Sequence, residues 1–175
     1  MQRLDWRERP IAITGFMGAG KTAVGSLLAE RLGRPFFDTD PLVERRAGRT
    51  IDSFFACGQE EVFRQLEAAC VERLLEEGDS VIALGGGAFL RSDTQRLLLD
   101  RALVVHLDVP WEEVETYLDE IAESRPLLRG RSRDEVHELF VSRRNVYRRA
   151  HLSVPAPRLG APFVVDTLLA ALEVH

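Results

Sequence analysis

The segment from Gly15 to Thr22 places the strongest constraint on what this chain of 175 residues can fold into. It reads Gly-Phe-Met-Gly-Ala-Gly-Lys-Thr and fits the pattern G-x-x-x-x-G-K-[S/T] at every fixed position. An apolar run rich in β-branched residues precedes it, and leucines at helical spacing follow it. Glycines let the backbone N–H groups of such a turn converge on phosphate oxygens, and the start of the next helix adds positive potential. The segment therefore predicts a loop that binds a nucleoside triphosphate.

Two side chains of this loop carry chemistry of their own. Lys21 can reach the β- and γ-phosphates, and the hydroxyl of Thr22 can ligate Mg²⁺. Lys21 is the only lysine among 23 lysine and arginine residues, which suggests that arginine cannot replace it there. The alternative is a chance glycine turn, and the flanking strand and helix patterns argue against it.

Composition and charge exclude several other classes of protein. Apolar residues make up 45% and charged residues 29%, as in an ordinary globular domain, and we expect one domain over residues 1–175. No apolar run approaches the roughly 18 residues of a membrane span, and the N-terminus lacks the apolar stretch of a signal peptide. The net charge of −5 argues against a nucleic-acid partner. Cys57 and Cys70 form no C-x-x-C pair, so we expect reduced, buried or half-buried thiols and a cytoplasmic location.

Five short apolar runs read as strands, and helical patterns separate them. The strands are predicted at Pro10–Thr14, Pro35–Asp38, Ser80–Leu84, Ala102–Leu107 and Leu152–Val154. Strands that alternate with helices predict an α/β fold with a parallel sheet covered on both faces. Within it, we expect an apolar helical stripe of Val62, Leu66, Ala69 and Cys70, and Ser92 as a helix N-cap.

Two carboxylates, Asp38 and Asp40, follow the second predicted strand. Ligands of open α/β sheets bind beyond the carboxyl ends of the strands, so one acid could hold Mg²⁺ and the other could accept a proton. The alternative is a turn or N-cap pair that starts the next helix.

Three further features also allow two interpretations. Arg64 stands three residues before Glu67, which fits a surface ion pair as well as a binding site. Gly85-Gly86-Gly87 directly follows a strand, where either a close ligand or a simple loop explains it. Arginines of the non-periodic segment 123–134, among them Arg125, and of the later helix could be solvated or functional.

The rest of the sequence and the chain length indicate which class of nucleotide-binding protein this is. Asn145 is the only asparagine and precedes Val146, so no guanine-reading N-K-x-D is present. The small size favours a kinase of a small molecule.

Taken in order, the motifs resemble those of the shikimate kinase family. They are Gly-Phe-Met-Gly-Ala-Gly-Lys-Thr, Phe-Asp-Thr-Asp, Gly-Arg-Thr-Ile, Phe-Arg-x-x-Glu, Gly-Gly-Gly, Arg-Pro-Leu-Leu and Arg-x-x-x-Tyr, between about Ile11 and Ala150. The resemblance implies a P-loop, nucleoside monophosphate kinase-like fold with five parallel strands, a substrate-binding lobe at about 40–67 and a lid at about 123–134. It implies ATP-dependent phosphorylation of the 3-hydroxyl of shikimate, on the route to chorismate and the aromatic amino acids. It also implies a cytoplasmic monomer without a nucleic-acid or membrane partner.

The resemblance assigns roles to residues of this chain. Lys21 and Arg125 would stabilise the transferring phosphoryl group, and Asp40 would bind shikimate hydroxyls and act as base. Mg²⁺ would lie at Thr22 and, through water, at Asp38. ATP would contact Gly18, Ala19, Gly20, Lys21, Thr22, Ala23, Arg125 and Arg158, the last as an adenine contact. Shikimate would contact Asp40, Arg64, Gly86, Gly87 and Arg143.

Some positions depart from the family pattern or leave alternatives. Asn145 replaces a proline usual in the last motif, so Arg144 remains an alternative to Arg143 as the carboxylate ligand. No arginine lies between Glu113 and Ser124 to stack on adenine. Asp108 ends a strand as a Walker B aspartate does, but the strand's place in the chain argues against a Mg²⁺ role. A gluconate-type kinase and a non-catalytic ATP-binding regulatory module are the alternative functions.

Overall fold

The described part of the chain contains a single five-stranded parallel sheet. The computed structural model describes residues 6–122 and 125–173. The strands are β1 (Ile11–Gly15), β2 (Phe36–Asp38), β3 (Val81–Ala83), β4 (Leu103–Asp108) and β5 (Leu152–Pro155). Their spatial order is β2-β3-β1-β4-β5, and every pairing is parallel. All five predicted strands are confirmed to within one residue at either end, and with them the α/β class.

Eight helices of the described ranges connect and cover these strands. They are α1 (Lys21–Leu32), α2 (Thr39–Ala47), α3 (Ile51–Ala56), α4 (Glu60–Glu76), α5 (Ser92–Arg101), α6 (Trp111–Ala122), α7 (Arg133–Tyr147) and α8 (Ala161–Glu173). Short 3₁₀ turns lie at Trp6–Glu8 and Ala88–Leu90. Gly33 ends α1 in the left-handed conformation, with φ of 65°, as its position after the leucine stripe predicts.

Helix starts differ from the sequence prediction in two places. Ser92 is the first residue of α5 and not its cap, since the cap position falls on Arg91, which makes no side-chain capping bond. Helix α7 begins at Arg133, because Ser132 and Glu135 form a reciprocal capping box. The irregular segment before it therefore ends at Ser132, earlier than predicted. Its first two residues, 123 and 124, lie outside the described residues.

The sheet's parallel register brings three loops to one edge. Strands β1 and β3 are buried at every position, which requires packing on both faces. Ala83 of β3 pairs with Ile13 of β1 on one side and with Asp38 of β2 on the other. The glycine-rich loop, the two carboxylates after β2 and the glycine triplet after β3 consequently lie side by side.

A second, smaller apolar cluster joins α2, α3 and α4. It consists of Val43, Phe54, Phe63 and Cys70. The stripe predicted on α4 is therefore partly wrong: Val62 is 45% exposed, whereas Phe63 and Glu67 are buried. The expectation of a buried or half-buried thiol is confirmed for Cys70 and wrong for Cys57, which is exposed at the end of α3. None of the helices in ranges 6–122 and 125–173 has the length and apolar character to cross a membrane.

Candidate active site

The loop between β1 and α1 has the backbone that its glycines predict. Gly18 and Gly20 have φ near +80°, a conformation that side-chain-bearing residues rarely adopt. A Cβ at Gly18 would also collide with the ring of Tyr117 on α6. The ammonium group of Lys21 donates to the carbonyl oxygens of Gly15 at 2.9 Å and Phe16 at 3.0 Å. These bonds hold the Lys21 ammonium group against the loop that is predicted to bind phosphate.

The electrostatics around Lys21 place it between acids and arginines. Burial lowers the pKa of its ammonium group to about 8, and Arg125 and Arg143 add to the lowering. Asp40 and Asp38 oppose that effect. Lys21 thus lies within the field of four charged side chains that come from different elements.

Thr22 and Asp38 present adjoining oxygens beside the loop. The Thr22 hydroxyl donates to Asp38 Oδ2 at 2.6 Å, and Asp38 Oδ1 accepts from the backbone N–H of Asp40 at 3.1 Å. Asp38 is therefore the N-cap of α2, as one of the two sequence interpretations states. A hydroxyl and a carboxylate this close are oxygen donors of the kind Mg²⁺ prefers, so the residues fit that ion.

Asp40 projects toward the glycine triplet. A Cβ on Gly85 would lie 2.6 Å from Asp40 Oδ1, so only glycine admits the carboxylate here. Burial raises the pKa of the Asp40 carboxyl, and the negative charge of Asp38 raises it further. Lys21, Arg125 and, more weakly, Arg64 oppose the rise. The arrangement can hold a carboxylate that accepts a proton.

Arg64 and Glu67 form an ion pair in the interior, not on the surface as one interpretation of their spacing held. Arg64 Nη1 donates to Glu67 Oε2 at 2.9 Å, and Glu67 is only 1% exposed. Glu67 Oε1 has no hydrogen-bond partner. Burial raises the pKa of Glu67, and Arg64 opposes that rise. A Cβ on Gly87 would collide with the Arg64 guanidinium, so the glycine triplet also makes room for this arginine.

Arg143 reaches the same place from α7. It is 7% exposed, and its Nε and Nη1 atoms have no hydrogen-bond partner. Burial lowers its pKa. Buried guanidinium donors without a partner are costly unless an anion meets them, which makes Arg143 a candidate anion ligand.

Asp40, Arg64, Glu67 and Arg143 line one cavity of about 290 Å³. Its walls also include the aromatic rings of Phe55 and Phe63, Pro41 and Glu44 of α2, and Pro126 and Leu127 beside Arg125. The charged and glycine residues of the lining are Asp40, Glu44, Asp52, Arg64, Glu67, Gly86, Gly87, Arg125 and Arg143. The structure thereby brings together every residue that the sequence assigned to the acceptor.

A second cavity of about 200 Å³ lies on the other side of the glycine-rich loop. Gly18, Ala19, Gly20 and Ala23 line it, together with Tyr117, Val109 and the segment Ala156–Arg158. The Arg158 guanidinium lies 4.9 Å from the centre of the Tyr117 ring. Such a partly apolar pocket next to a phosphate loop suits a nucleotide base.

Arg144 and Asp108 form an ion pair with each other. Arg144 donates to both carboxylate oxygens of Asp108, at 2.6 and 3.0 Å, and Arg148 lies 3.6 Å from the same group. Arg144 does not line the acceptor cavity, whereas Arg143 does.

Sequence reasoning missed the positions of Glu67 and Tyr117. Glu67 stands in the motif Phe-Arg-x-x-Glu, but its spacing from Arg64 is equally typical of a solvated helix face. Only the packing of α4 in the folded chain shows that Glu67 is buried next to Gly85. Tyr117 carries no local pattern, since its contact with Gly18 joins residues about 100 positions apart.

Comparison with known proteins identifies the family of this chain. The family model described as shikimate kinase matches residues 17–173. The chain belongs to the shikimate kinase family. A shikimate kinase of Bacillus pumilus is 38% identical over 174 residues, covering 97% of this chain and 94% of that protein. A shikimate kinase of Symbiobacterium thermophilum is 43% identical over 169 residues, covering 93% and 95%.

Solved structures of the family superimpose on this fold. Shikimate kinase from Acinetobacter baumannii in complex with shikimate is 32% identical, with a TM-score of 0.87 over 95% of this chain and 93% of that one. The Aquifex aeolicus shikimate kinase is 35% identical, with a TM-score of 0.81 over 94% and 96%. A gluconokinase from Sinorhizobium meliloti, 19% identical with a TM-score of 0.53 over 95% and 92%, shares the fold alone. Family membership therefore confirms the expected fold and an enzyme of the shikimate kinase type.

Proposed function

We propose that this chain transfers the γ-phosphoryl group of ATP to the 3-hydroxyl of shikimate. The observation that carries the proposal is the cavity in which Asp40, Arg64 and Arg143 meet beside Lys21 of the phosphate loop. A hydroxylated carboxylate needs both kinds of partner, a carboxylate that accepts from its hydroxyls and a guanidinium that pairs with its carboxylate.

The acceptor's carboxylate lies against Arg143 and Arg64 in this proposal. Arg143 offers two unpaired buried donors, and Arg64 is held in place by its bond to Glu67. Gly86 and Gly87 line the same cavity, and in this proposal their backbone N–H groups bind the acceptor as well. The alternative carboxylate ligand, Arg144, is already paired with Asp108, which supports Arg143.

Asp40 is the proposed base. It binds the reacting hydroxyl and accepts its proton as the phosphorus–oxygen bond forms. The raised pKa of Asp40 favours that role, since a carboxyl with a higher pKa is the better proton acceptor. Charge that develops on the transferred oxygens is stabilised by Lys21 and Arg125, which are both close enough to Asp40 to oppose the rise of its pKa.

ATP binds to the loop residues Gly18 to Ala23, with its base in the second cavity next to Arg158. Thr22 and Asp38, whose side-chain oxygens adjoin each other, would hold Mg²⁺. Mg²⁺ bound there would supply positive charge that neutralises the β- and γ-phosphates. Asp108 takes no part, because Arg144 and Arg148 neutralise it.

The same proposal covers the wider organisation of the chain. Residues 1–175 act as one kinase domain, with about 40–67 as the acceptor-binding lobe and about 123–134 as a lid that excludes water from the reaction. Both cysteines are free, which supports a reducing compartment such as the cytoplasm, and we expect the chain to act as a monomer. The product feeds the synthesis of chorismate and aromatic amino acids.

A coupled assay of ADP release tests the proposal. Purified chain is mixed with ATP and Mg²⁺, and turnover is compared with shikimate, with gluconate and with no acceptor. Turnover that depends on shikimate is expected. Turnover with gluconate alone, or none with either acceptor despite ATP binding, would contradict the proposal.

A further inference from the structure

Tyr147 is a buried polar side chain beside the acceptor cavity for which the proposed mechanism has no use. It is 1% exposed and is the last residue of α7. It stands four residues after Arg143, so the two side chains share one face of the helix. A buried phenol at such a place calls for a hydrogen-bond partner.

That partner is the glycine triplet. The Tyr147 hydroxyl donates to the carbonyl oxygen of Gly86 at 2.6 Å. The preceding glycine is held by a residue of another helix, since the backbone N–H of Gly85 donates to Oγ1 of Thr39 in α2 at 2.7 Å. Two side chains from different helices therefore fix a turn that has no side chains of its own.

Arg143 adjoins the same hydroxyl. Its Nη1 atom would lie 3.7 Å from a Cβ placed on Gly86. The Arg143 guanidinium and the Tyr147 hydroxyl therefore both lie next to Gly86. The phenol oxygen partly offsets the effect of burial on the pKa of Arg143. Burial raises the pKa of Tyr147 itself, so the phenol keeps its proton and can donate to Gly86.

The other side of Tyr147 is closed by packing. The ring of His106 lies 5.5 Å from the Tyr147 ring, centre to centre, and its Nδ1 is 3.2 Å from Ser153 Oγ. His106 is thus paired with Ser153, and the phenol donates its own proton to the carbonyl oxygen of Gly86.

We propose that Tyr147 is a positioning residue for acceptor recognition, whose hydroxyl fixes Gly86 and directs the Arg143 guanidinium at the acceptor's carboxylate. The inference rests on the proposed function, since it takes the acceptor to be a small carboxylate. It predicts that losing the hydroxyl weakens carboxylate recognition more than it weakens binding of the rest of the ring.

Tyr147→Phe tests this, because it removes the hydroxyl and keeps the ring. Calorimetric titration with shikimate and with its methyl ester, both without nucleotide, separates the carboxylate from the other contacts. We expect about tenfold weaker binding of shikimate, in line with the loss of one buried hydrogen bond, and a clearly smaller loss for the ester. Thr167→Val, which removes the hydroxyl that donates to the carbonyl oxygen of Phe163 on α8, is the control for a lost hydroxyl away from both cavities and is expected to leave the shikimate Kd unchanged.

A second comparison uses the protein side of the same contact. In an Arg143→Gln background, Tyr147→Phe should add little further loss of shikimate binding, because the guanidinium it directs is gone. Equal losses for shikimate and ester, no loss for either, or additive losses in the double variant would overturn the inference while wild-type turnover with shikimate upheld the proposed function. A wild-type chain that neither binds nor phosphorylates shikimate would overturn both.

Discussion

At Asp40, burial and neighbouring charge act in opposite directions on one carboxyl group. Burial and Asp38 favour its protonated form, whereas Lys21 and Arg125 favour its ionised form. The balance leaves the pKa above its ordinary value, which suits a group that must be ionised before the reaction and take up a proton during it. In the proposed mechanism, the proton transfer depends on this one side chain.

Replacement of Asp40 by asparagine keeps the shape of the side chain and removes the base. We expect Asp40→Asn to lower kcat by about 100- to 10,000-fold, the range typical of general-base catalysis. The Kd for ATP should stay close to that of the wild type, because the loop 15–22 is untouched. Steady-state kinetics and nucleotide titration check both. Asp166→Asn, an exposed carboxylate on α8, is the matched control, and kcat near the wild-type value in Asp40→Asn would refute the assignment.

The pH dependence should have two limbs with known signs. Asp40 must be ionised, so activity falls as the pH drops through its raised pKa. Lys21 must be charged, so kcat/KM for ATP falls as the pH rises through about 8 in the free enzyme. In the ternary complex the phosphates favour the charged ammonium, and the alkaline limb of kcat should move to higher pH. A kcat/KM profile that stays flat from neutral pH into the alkaline range would contradict this account of Lys21.

At the scale of elements, an ion pair joins the proposed lid to α3. Arg129, four residues after Arg125, lies 2.6 Å from Asp52, which also lines the acceptor cavity. Both side chains are about half exposed, so the pair contributes about 0.2–1 kcal/mol, and salt screens it. A contribution of this size can bias a lid without locking it.

The ion pair predicts a modest, salt-dependent effect on the acceptor. Asp52→Ala should raise the KM for shikimate by up to about fivefold, and the difference from wild type should shrink at high salt. Arg129→Ala should do the same, and the double variant should add little beyond either single change. Asp166→Ala, which breaks an exposed pair with Arg31 on another face, serves as control. Additive effects in the double variant would show that the two side chains act separately.

Many of the helices and strands could be predicted because their sequence signals are local. The strand, the glycine turn and the helix around Lys21 follow from periodicity and from glycine's freedom at positive φ. The sequence predictions failed where tertiary packing decides which side chains are buried. Glu67 and Val62 both fit either face of α4, and only the contact with Gly85 sends Glu67 inward. Arg143 and Arg144 are neighbours in sequence, and only the position of Asp108 separates their roles. Ser92 has the chemistry of a cap, but the helix begins one residue too early for it.

At the scale of the whole molecule, the acceptor and nucleotide cavities lie on two sides of one phosphate loop. Each ligand should therefore stabilise the folded chain by mass action. At 100 times its Kd, a ligand adds about 2.7 kcal/mol to the free energy of unfolding. For a chain of this size that corresponds to a rise in Tm of about 5–10 °C.

Thermal unfolding with a non-hydrolysable ATP analogue, with shikimate and with gluconate measures these effects. We expect rises of that size for the first two ligands and none for gluconate at the same concentration. A rise with the nucleotide alone would favour an ATP-binding module that lacks this acceptor.

The central claim is that this site places a phosphoryl group on one particular hydroxyl of shikimate. Phosphorus–proton correlation NMR on the product of a complete reaction measures that directly. The account predicts one phosphorylated product, with the phosphorus coupled to the proton on carbon 3. Coupling to another ring position, or conversion of ATP to ADP and free phosphate without a phosphorylated acceptor, would contradict it.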